Sequence, residues 1–314
     1  MLRPGSPLIR PVDDLPGVER ASDSLPGVVR GHVSAGRWER IGRGAYVPRA
    51  SEDESSGPER ARRLALARVV GVHRRLSSPH WFSHGSAALL WGLPLWSTPD
   101  RTHVLQAHRA GGRNDPAVAR HVGVPGESER STVRGLPVTS LERTLLDCTT
   151  TWRAGDALVV ADAGLRAGAD PGVLAAMLDA RTGRRGVARA RAVLAVADPG
   201  SESPGESMTR LLLLREGLPI PSTQVRVVTR LGTFWGDLGW VEWRVLVEYD
   251  GRPKYHQSAR DELVREKRRH DAIVEAGWRV VRVTREDLDA PRLAARVARL
   301  LPPTAQGARR AALR

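Results

Sequence analysis

Three acidic residues and a lysine near the end of the chain have the types and spacing of a site that binds a divalent metal ion. Asp237 lies in one predicted strand, and Glu248 and Asp250 lie two residues apart in the next, so their side chains share a face. Lys254 follows after a Gly-Arg-Pro turn. Carboxylates that hold Mg²⁺, with a lysine nearby, activate water and neutralise charge during phosphodiester hydrolysis. The pattern therefore predicts a metal-dependent phosphodiesterase.

Each acid also has a structural interpretation. Asp237 and Asp250 both adjoin a glycine, and such pairs often form turns. Glu206 stands three residues after Ser203, a spacing typical of a capping box at a helix start, or it leans toward the metal from the top of that helix. Glu248 follows three apolar residues, and burying an acid there is costly unless it is paired or bound to a cation. Glu248 therefore favours the metal-site interpretation most.

The charge of the chain points to a polyanionic partner. The net charge is +14, and 47 of the 49 basic residues are arginine, which leaves Lys254 and Lys267 as the lysines. Such a surface attracts nucleic acid first and anionic membrane second, although an arginine-rich coding bias is an alternative. A lysine pKa responds to burial in a way that an arginine pKa does not, which points to chemistry near residue 254. Lys267 is a second candidate cation or one more charge on a solvated helix face.

Other features limit the class of protein. No stretch approaches the roughly 18 apolar residues that cross a bilayer, and the first residues lack the apolar core of a signal peptide. We therefore expect a cytoplasmic protein with no membrane partner. The single cysteine, Cys148, rules out an internal disulfide and a zinc site built from several cysteines, and we expect it to be buried.

The elements that must position the acids follow the order αβββαβα between residues 203 and 301. They are a helix at 203–219, strands at 223–231, 233–240 and 242–251, a helix at 258–277, a strand at 278–284 and a helix at 286–301. The strand–helix–strand step from 242 to 284 predicts a parallel pair with a right-handed crossover.

The rest of the chain divides at polar, proline-rich segments. Residues 24–47 read as a short helix and a basic β-hairpin, the closing half of a winged helix in a segment covering 1–50. Residues 60–196 read as a mixed α/β domain, and 302–314 as a disordered tail. On the hairpin, Arg37, Arg40 and Arg43 suit phosphate contacts, or are ordinary surface arginines.

Four sequence pieces after residue 203 match a known group of nucleases. They are GES near the first helix, the lone Asp237, VEYDG followed by KY, and EKRRHDAIVEAGWRVVRVTREDL. In these pieces the chain resembles the branch of the PD-(D/E)XK nuclease superfamily related to very-short-patch-repair endonucleases. The resemblance implies a restriction-endonuclease-like fold, with Asp237 and Glu248 as metal ligands, Glu206 as an assisting acid and Lys254 as a displaced lysine. The chain departs from the family where Asp250 occupies the usual lysine position.

The front of the chain resembles a second family. The segments GVVRGHVSAGRWERIGRGAYVP and SHGSAALLWGLPL…GLPVTSLERTLLD are similar to AbiEi-type antitoxins, whose winged helix binds DNA. This resemblance implies DNA as a partner, and a cognate toxin or defence-system protein as another. We therefore expect a DNA endonuclease that uses Mg²⁺ or Mn²⁺. The alternative is a non-catalytic, antitoxin-like DNA-binding regulator with a degenerate nuclease fold.

Two aromatic patterns remain. His80 and His84 are spaced like a metal-binding pair on one helical turn, but packing or capping is the favoured interpretation because no third ligand is near in sequence. Trp235, Trp240 and Trp243 surround Asp237 and are either core aromatics or a platform on which bases stack.

Overall fold

The computed structural model describes residues 3, 6, 8–49, 57–109, 115–251 and 259–313. Within these residues the chain is a mixed α/β protein with ten α-helices and three sheets. The elements of the first half are β1 (Glu19–Arg20), α1 (Pro26–Ser34), β2 (Trp38–Gly42), β3 (Ala45–Pro48), α2 (Gly57–Arg75), β4 (Trp81–Phe82), α3 (His84–Leu90), β5 (Thr102–Gln106), β6 (Val118–Val122), β7 (Arg130–Val133), β8 (Leu136–Thr139) and α4 (Leu141–Thr151).

The second half continues with helices and then one sheet. Its elements are α5 (Ala154–Arg166), α6 (Pro171–Asp179), α7 (Val187–Leu194), α8 (Pro204–Arg215), β9 (Ser222–Thr229), β10 (Gly232–Trp240), β11 (Val245–Tyr249), α9 (Ala259–Glu275), β12 (Arg279–Val283) and α10 (Ala290–Ala298). The predicted order αβββαβα is therefore present from α8 to α10. No helix in the described residues is long and apolar enough to cross a membrane.

The chain forms two compact units. One contains Ile9–Cys148 and Ala169–Ala180, and the other contains Met1–Leu8, Thr149–Gly168 and Arg181–Arg314. The boundary expected near 197–205 lies inside the second unit, because α5 packs with both α7 and α8 there.

The first unit holds two sheets. The predicted helix and hairpin are present as α1 and the pair β2–β3, and β1 extends this antiparallel sheet in the order β1-β3-β2. The second sheet has the order β6-β5-β4-β8-β7 and mixes parallel and antiparallel pairs. The buried face of α2 packs with both sheets through an apolar cluster that includes Val47, Val70 and Phe82.

The second unit is built on the sheet β12-β11-β10-β9. β9, β10 and β11 pair antiparallel, and β11 pairs parallel with β12 across the connecting helix α9, so the predicted parallel pair is confirmed. Val245, Leu246 and Val247 have no exposed surface, which fixes β11 in the middle of the core. Leucines of α8 and the apolar stripe of α10 pack against the same strands.

Residues 130–139 form a hairpin, because Arg134 and Gly135 both adopt positive φ, at 50° and 77°, and turn the chain between β7 and β8. One expectation differs from the structure. Residues 302–313, expected as a disordered tail, include two 3₁₀ turns, and Leu313 is buried in the apolar cluster of α5 and α8.

Candidate metal centre

Asp237 and Glu248 are brought together by the pairing of β10 with β11. Leu238 is opposite Val247, so one step further along the ladder Asp237 is opposite Glu248. At that step the side chain of Asp237 takes the place of a backbone acceptor, because its Oδ2 accepts a hydrogen bond from Tyr249 N at 2.8 Å. Glu248 is 8% exposed. Two carboxylates thus converge where the backbone ladder between the strands stops.

The same step of the sheet contains a strained backbone. On β9, the two neighbours of Gln224 pair with Gly236 and Leu238, so Gln224 lies opposite Asp237. The φ of Gln224 is 48°. A residue with a flexible, unbranched side chain in the left-handed region of the Ramachandran plot is uncommon inside a strand. Such strain is concentrated at functional sites because only a well-packed environment holds it in place.

These acids border a cleft of about 210 Å³. Its lining residues are Asp237, Glu248, Tyr249, Asp250, Glu266, Arg269 and Arg282. Asp250 follows the last residue of β11, and its N–H donates to Val283 O at 2.8 Å. Asp250 therefore lies at the same cleft as Asp237 and Glu248, and it reaches the cleft from the end of β11.

Arg269 of α9 is a cation that reaches the cleft and bonds Glu248. Its Nη2 lies 2.5 Å from Glu248 Oε1 and also donates to Trp235 O at 3.1 Å. Its Nη1 lies 3.1 Å from Glu266 Oε1, which also accepts from Arg282 Nη2 at 2.7 Å. These contacts link α9, β11 and β12 across the cleft.

The lysines expected beside the acids have a different placement. Lys254 lies outside the described residues. Lys267 is exposed on α9 and does not line the cleft. Arg269 is two residues further along the helix, a rotation of roughly 200°, so it faces the sheet. The signal that would have found Arg269 is the buried pair Ala272 and Ile273, three and four residues on, which marks the inward face of α9.

Glu206 acts as a cap and also lies within electrostatic range of Asp237. Ser203 Oγ accepts from Glu206 N at 3.2 Å, so Ser203 caps α8. Glu206 accepts from Ser203 Oγ at 2.9 Å and from Glu202 N at 2.7 Å, in place of the Ser203 N–H that a capping box uses. Burial raises the pKa of Glu206, and the charge of Asp237 raises it further. Burial also raises the pKa of Asp237, and the charge of Glu248 adds to that shift. Glu206 and Glu248 are buried and Asp237 is partly buried. Asp237 therefore has like charge on both sides, and an added cation would stabilise the group.

Two proteins of Mycobacterium tuberculosis are similar to this chain. Over 222 residues it is 32% identical to the Mycobacterium tuberculosis uncharacterized proteins Rv2248 (strain ATCC 25618 / H37Rv) and MT2308 (strain CDC 1551 / Oshkosh), covering 69% of this chain and 79% of each relative. The chain belongs to the family of these two proteins. No family model matches the Rv2248-family chain. The crystal structure of the RV2827C protein from Mycobacterium tuberculosis aligns at a TM-score of 0.38 and 16% identity, over 62% of this chain and 75% of that one.

The first unit of this Rv2248-family chain contains a histidine cluster that sequence analysis missed. His80 and His84, for which packing or capping is the favoured interpretation, have different neighbours: His80 Nε2 lies 3.0 Å from His73 Nδ1. His84 instead stacks on His121, with ring centroids 3.9 Å apart, and His103 Nδ1 lies 3.0 Å from His121 Nε2. The signal was hidden because β5 and β6 bring together residues that lie far apart in sequence.

Burial sets the protonation of this cluster. Burial lowers the pKa of His103 to about 4 and lowers the pKa of His84 and His121 as well. Nearby arginines lower the pKa of all three, and neighbouring imidazoles lower the pKa of His84 and His103. The three rings are therefore neutral near pH 7, the form in which imidazole binds metals.

The remaining predicted residues lie at the surface or in the core of this family member. Arg37, Arg40 and Arg43 are all exposed on β2 and its turn, as phosphate contacts require. Trp240 is 2% exposed and packs in the core of the second sheet, which is the core interpretation rather than the stacking platform. Trp243 packs against the same core.

Proposed function

We propose that this protein is a metal-dependent DNA endonuclease whose centre is Asp237 and Glu248. The observation that carries the proposal is the convergence of these two carboxylates on the two central strands of a mixed sheet, in a cleft that also contains Asp250. Buried oxygen ligands of this kind suit a hard cation such as Mg²⁺ or Mn²⁺. The raised pKa of Asp237 supports the fit, because burial leaves its charge insufficiently compensated.

The residues of the cleft have different roles, which follow from their side-chain chemistry. Asp237 and Glu248 would hold the ion, and Asp250 would complete the ligands or orient a water. A bound Mg²⁺ supplies a Lewis acid for the phosphate and lowers the pKa of bound water. Arg269 and Arg282 line the same cleft and carry the fixed positive charge that a phosphodiester needs. Glu206 acts behind Asp237, where it fixes the start of α8.

Cleavage of DNA tests this proposal. Plasmid and single-stranded DNA would be incubated with the full chain and Mg²⁺ or Mn²⁺, beside Asp237→Ala and Glu248→Ala. We expect cutting that requires the metal and disappears in both variants. Glu242→Ala is a matched control, because this acid is exposed just before β11. Equal cutting by wild type and both centre variants would point to a contaminating nuclease and reject the assignment.

A non-catalytic DNA-binding regulator is the second candidate. It is favoured by the ion pair of Arg269 with Glu248, which already neutralises one proposed ligand, and by Asp250 at the position where related nucleases have lysine. A cognate toxin or defence-system partner belongs to this proposal. A regulator binds DNA equally well after Asp237→Ala and ignores Mn²⁺, whereas a nuclease gains thermal stability from Mn²⁺ because only the folded state binds it.

A further inference from the structure

A cluster of three histidines in the first unit lies apart in sequence and fold from the acidic cleft. His84 is the first residue of α3, His103 is on β5 and His121 is on β6. β5 and β6 are parallel neighbours, and the register pair Leu105 and His121 places the second and third histidines on adjacent strands. Three elements therefore each supply one imidazole to the same place.

The nitrogen atoms of the cluster are close enough to share one ion. One ligand nitrogen from each residue lies within 4.8 Å of the other two. His103 and His121 meet edge to edge, with Nδ1 and Nε2 at 3.0 Å and ring planes 14° apart. Nitrogen ligands lie about 2.0–2.1 Å from zinc, so tetrahedral geometry separates two of them by roughly 3.3 Å. Rotation of each ring by roughly 35°, so that both nitrogens point to one ion, converts their hydrogen bond into shared coordination.

His84 requires a larger adjustment, and its backbone is already specialised. Its ring stacks on His121 with planes 13° apart, so it must rotate about its side-chain torsions to direct a nitrogen to the same point. Its φ is 48°, an uncommon value for a residue other than glycine. Ser83 Oγ lies 3.0 Å from His84 Nδ1, which leaves Nε2 as the nitrogen to bind an ion. A hydrogen bond on one ring nitrogen is how proteins orient a metal-binding histidine.

The two arginines nearest the cluster are bonded to other groups. Arg143 lies 2.5 Å from Glu129 and 2.9 Å from Asp147, and both acids offset its charge. Arg101 donates to the carbonyls of Pro116 and Val118 at 2.9 and 3.0 Å. Neither guanidinium is bonded to an imidazole of the cluster in the described residues.

We propose that His84, His103 and His121 bind one divalent transition metal ion of the zinc type. Three neutral nitrogen ligands suit zinc and cobalt rather than magnesium, so this site differs in metal class from the acidic cleft. Three protein ligands also leave a fourth position open to water or to another ligand. The site does not depend on the nuclease proposal, because none of its residues contributes to the acidic cleft.

Cobalt absorption tests the site directly. The full chain would be treated with a chelator, dialysed and titrated with Co²⁺, whose tetrahedral nitrogen complexes absorb visible light strongly and whose octahedral oxygen complexes absorb weakly. We expect saturation at one Co²⁺ per chain and displacement of the Co²⁺ by Zn²⁺. The double variant His103→Gln/His121→Gln should bind at least about tenfold more weakly. His80→Gln is the matched control, since His80 belongs to the other histidine pair of this unit.

The outcomes separate this site from the nuclease proposal. Asp237→Ala should leave the absorption unchanged, while abolishing any DNA cleavage. A wild-type chain with no strong absorption overturns the proposal, and so does a double variant that is folded by circular dichroism and retains the full signal. Where the double variant does not fold, the single variant His121→Gln replaces it, because this side chain is only partly buried.

Discussion

Arg269 Nη2 lies 2.5 Å from Glu248 Oε1, so a buried acid of the proposed metal centre has a guanidinium partner. The same guanidinium group bonds Glu266 and the carbonyl of Trp235. Arg269 thus connects α9 to the central strands β10 and β11. An ion at this centre would compete with Arg269 for Glu248, and this competition can be measured.

Replacing Arg269 should make stability depend on metal. In Arg269→Gln, Glu248 loses its cation, and an unpaired buried charge costs about 1–3 kcal/mol or more. We expect a lower melting temperature than wild type in EDTA and a smaller deficit in Mn²⁺, measured by differential scanning fluorimetry. Arg268→Gln is the control, because that side chain is exposed. An equal deficit with and without Mn²⁺ would show that Glu248 does not bind the ion.

Asp237→Asn should stabilise the metal-free protein more as pH rises. Burial and neighbouring charge raise the pKa of Asp237, so the folded state holds this proton more tightly than the unfolded state. The stability that protonated Asp237 gives the wild-type protein is fully present below the unfolded pKa near 3.9, and it is lost as pH rises through the folded pKa. In EDTA, the melting temperature of the variant relative to wild type should increase between about pH 4 and pH 7, the range that contains the unfolded pKa and the folded pKa of about 6. A difference that stays constant with pH would contradict a raised pKa at this residue.

Breaking the ion pair between Asp162 and Arg210 should be strongly destabilising. Both side chains are 1% exposed, and the guanidinium lies 2.6 and 2.7 Å from the two carboxylate oxygens, tying α5 to the helix that carries Glu206. Arg210→Met leaves Asp162 buried and unpaired, which costs about 3–5 kcal/mol. Urea unfolding should show that Asp162→Leu/Arg210→Met loses less stability than Arg210→Met alone. A double variant as unstable as the single one would mean that packing, rather than charge, dominates at this site.

Gly205→Ala should disturb Tyr249 at the end of β11. A Cβ at Gly205 would lie 1.9 Å from the Tyr249 ring, so the ring must move. Overpacking of this kind costs about 1–3 kcal/mol, which thermal unfolding would detect. Gly27→Ala is the matched control, because Gly27 also follows the proline that begins a helix and has no atom within 4 Å of the added Cβ. Equal effects of the two substitutions would assign the loss to helix propensity instead of contact.

Removing the hairpin arginines should reduce the salt dependence of DNA binding. Arg37, Arg40 and Arg43 are exposed, and each phosphate contact adds about 0.9 to the slope of log affinity against log salt. We expect the triple glutamine variant to bind more weakly and with a slope smaller by about 2–3 in fluorescence anisotropy titrations. Arg184→Gln/Arg185→Gln is the control at exposed arginines of the other unit. An unchanged slope would place the DNA-binding surface elsewhere.

Local patterns in the sequence determined much of the second unit. The Ser-Pro start of α8, the alternating residues of β9 and the apolar run Val245–Val247 predict their elements, because capping and periodicity act over a few residues. They also placed Asp237 and Glu248 on consecutive strands. Short elements such as β4 and β6 went unpredicted, since two to five residues contain too little periodicity to identify them.

Tertiary structure alone decided which side chains meet. Arg269, instead of either lysine, reaches Glu248 because the buried face of α9 turns it toward β11. His84, His103 and His121 meet because β5 and β6 pair in parallel across a long connection. Sequence spacing specifies which residues share a face of one element. Contacts between elements depend on strand order and helix packing, which the whole folded chain sets.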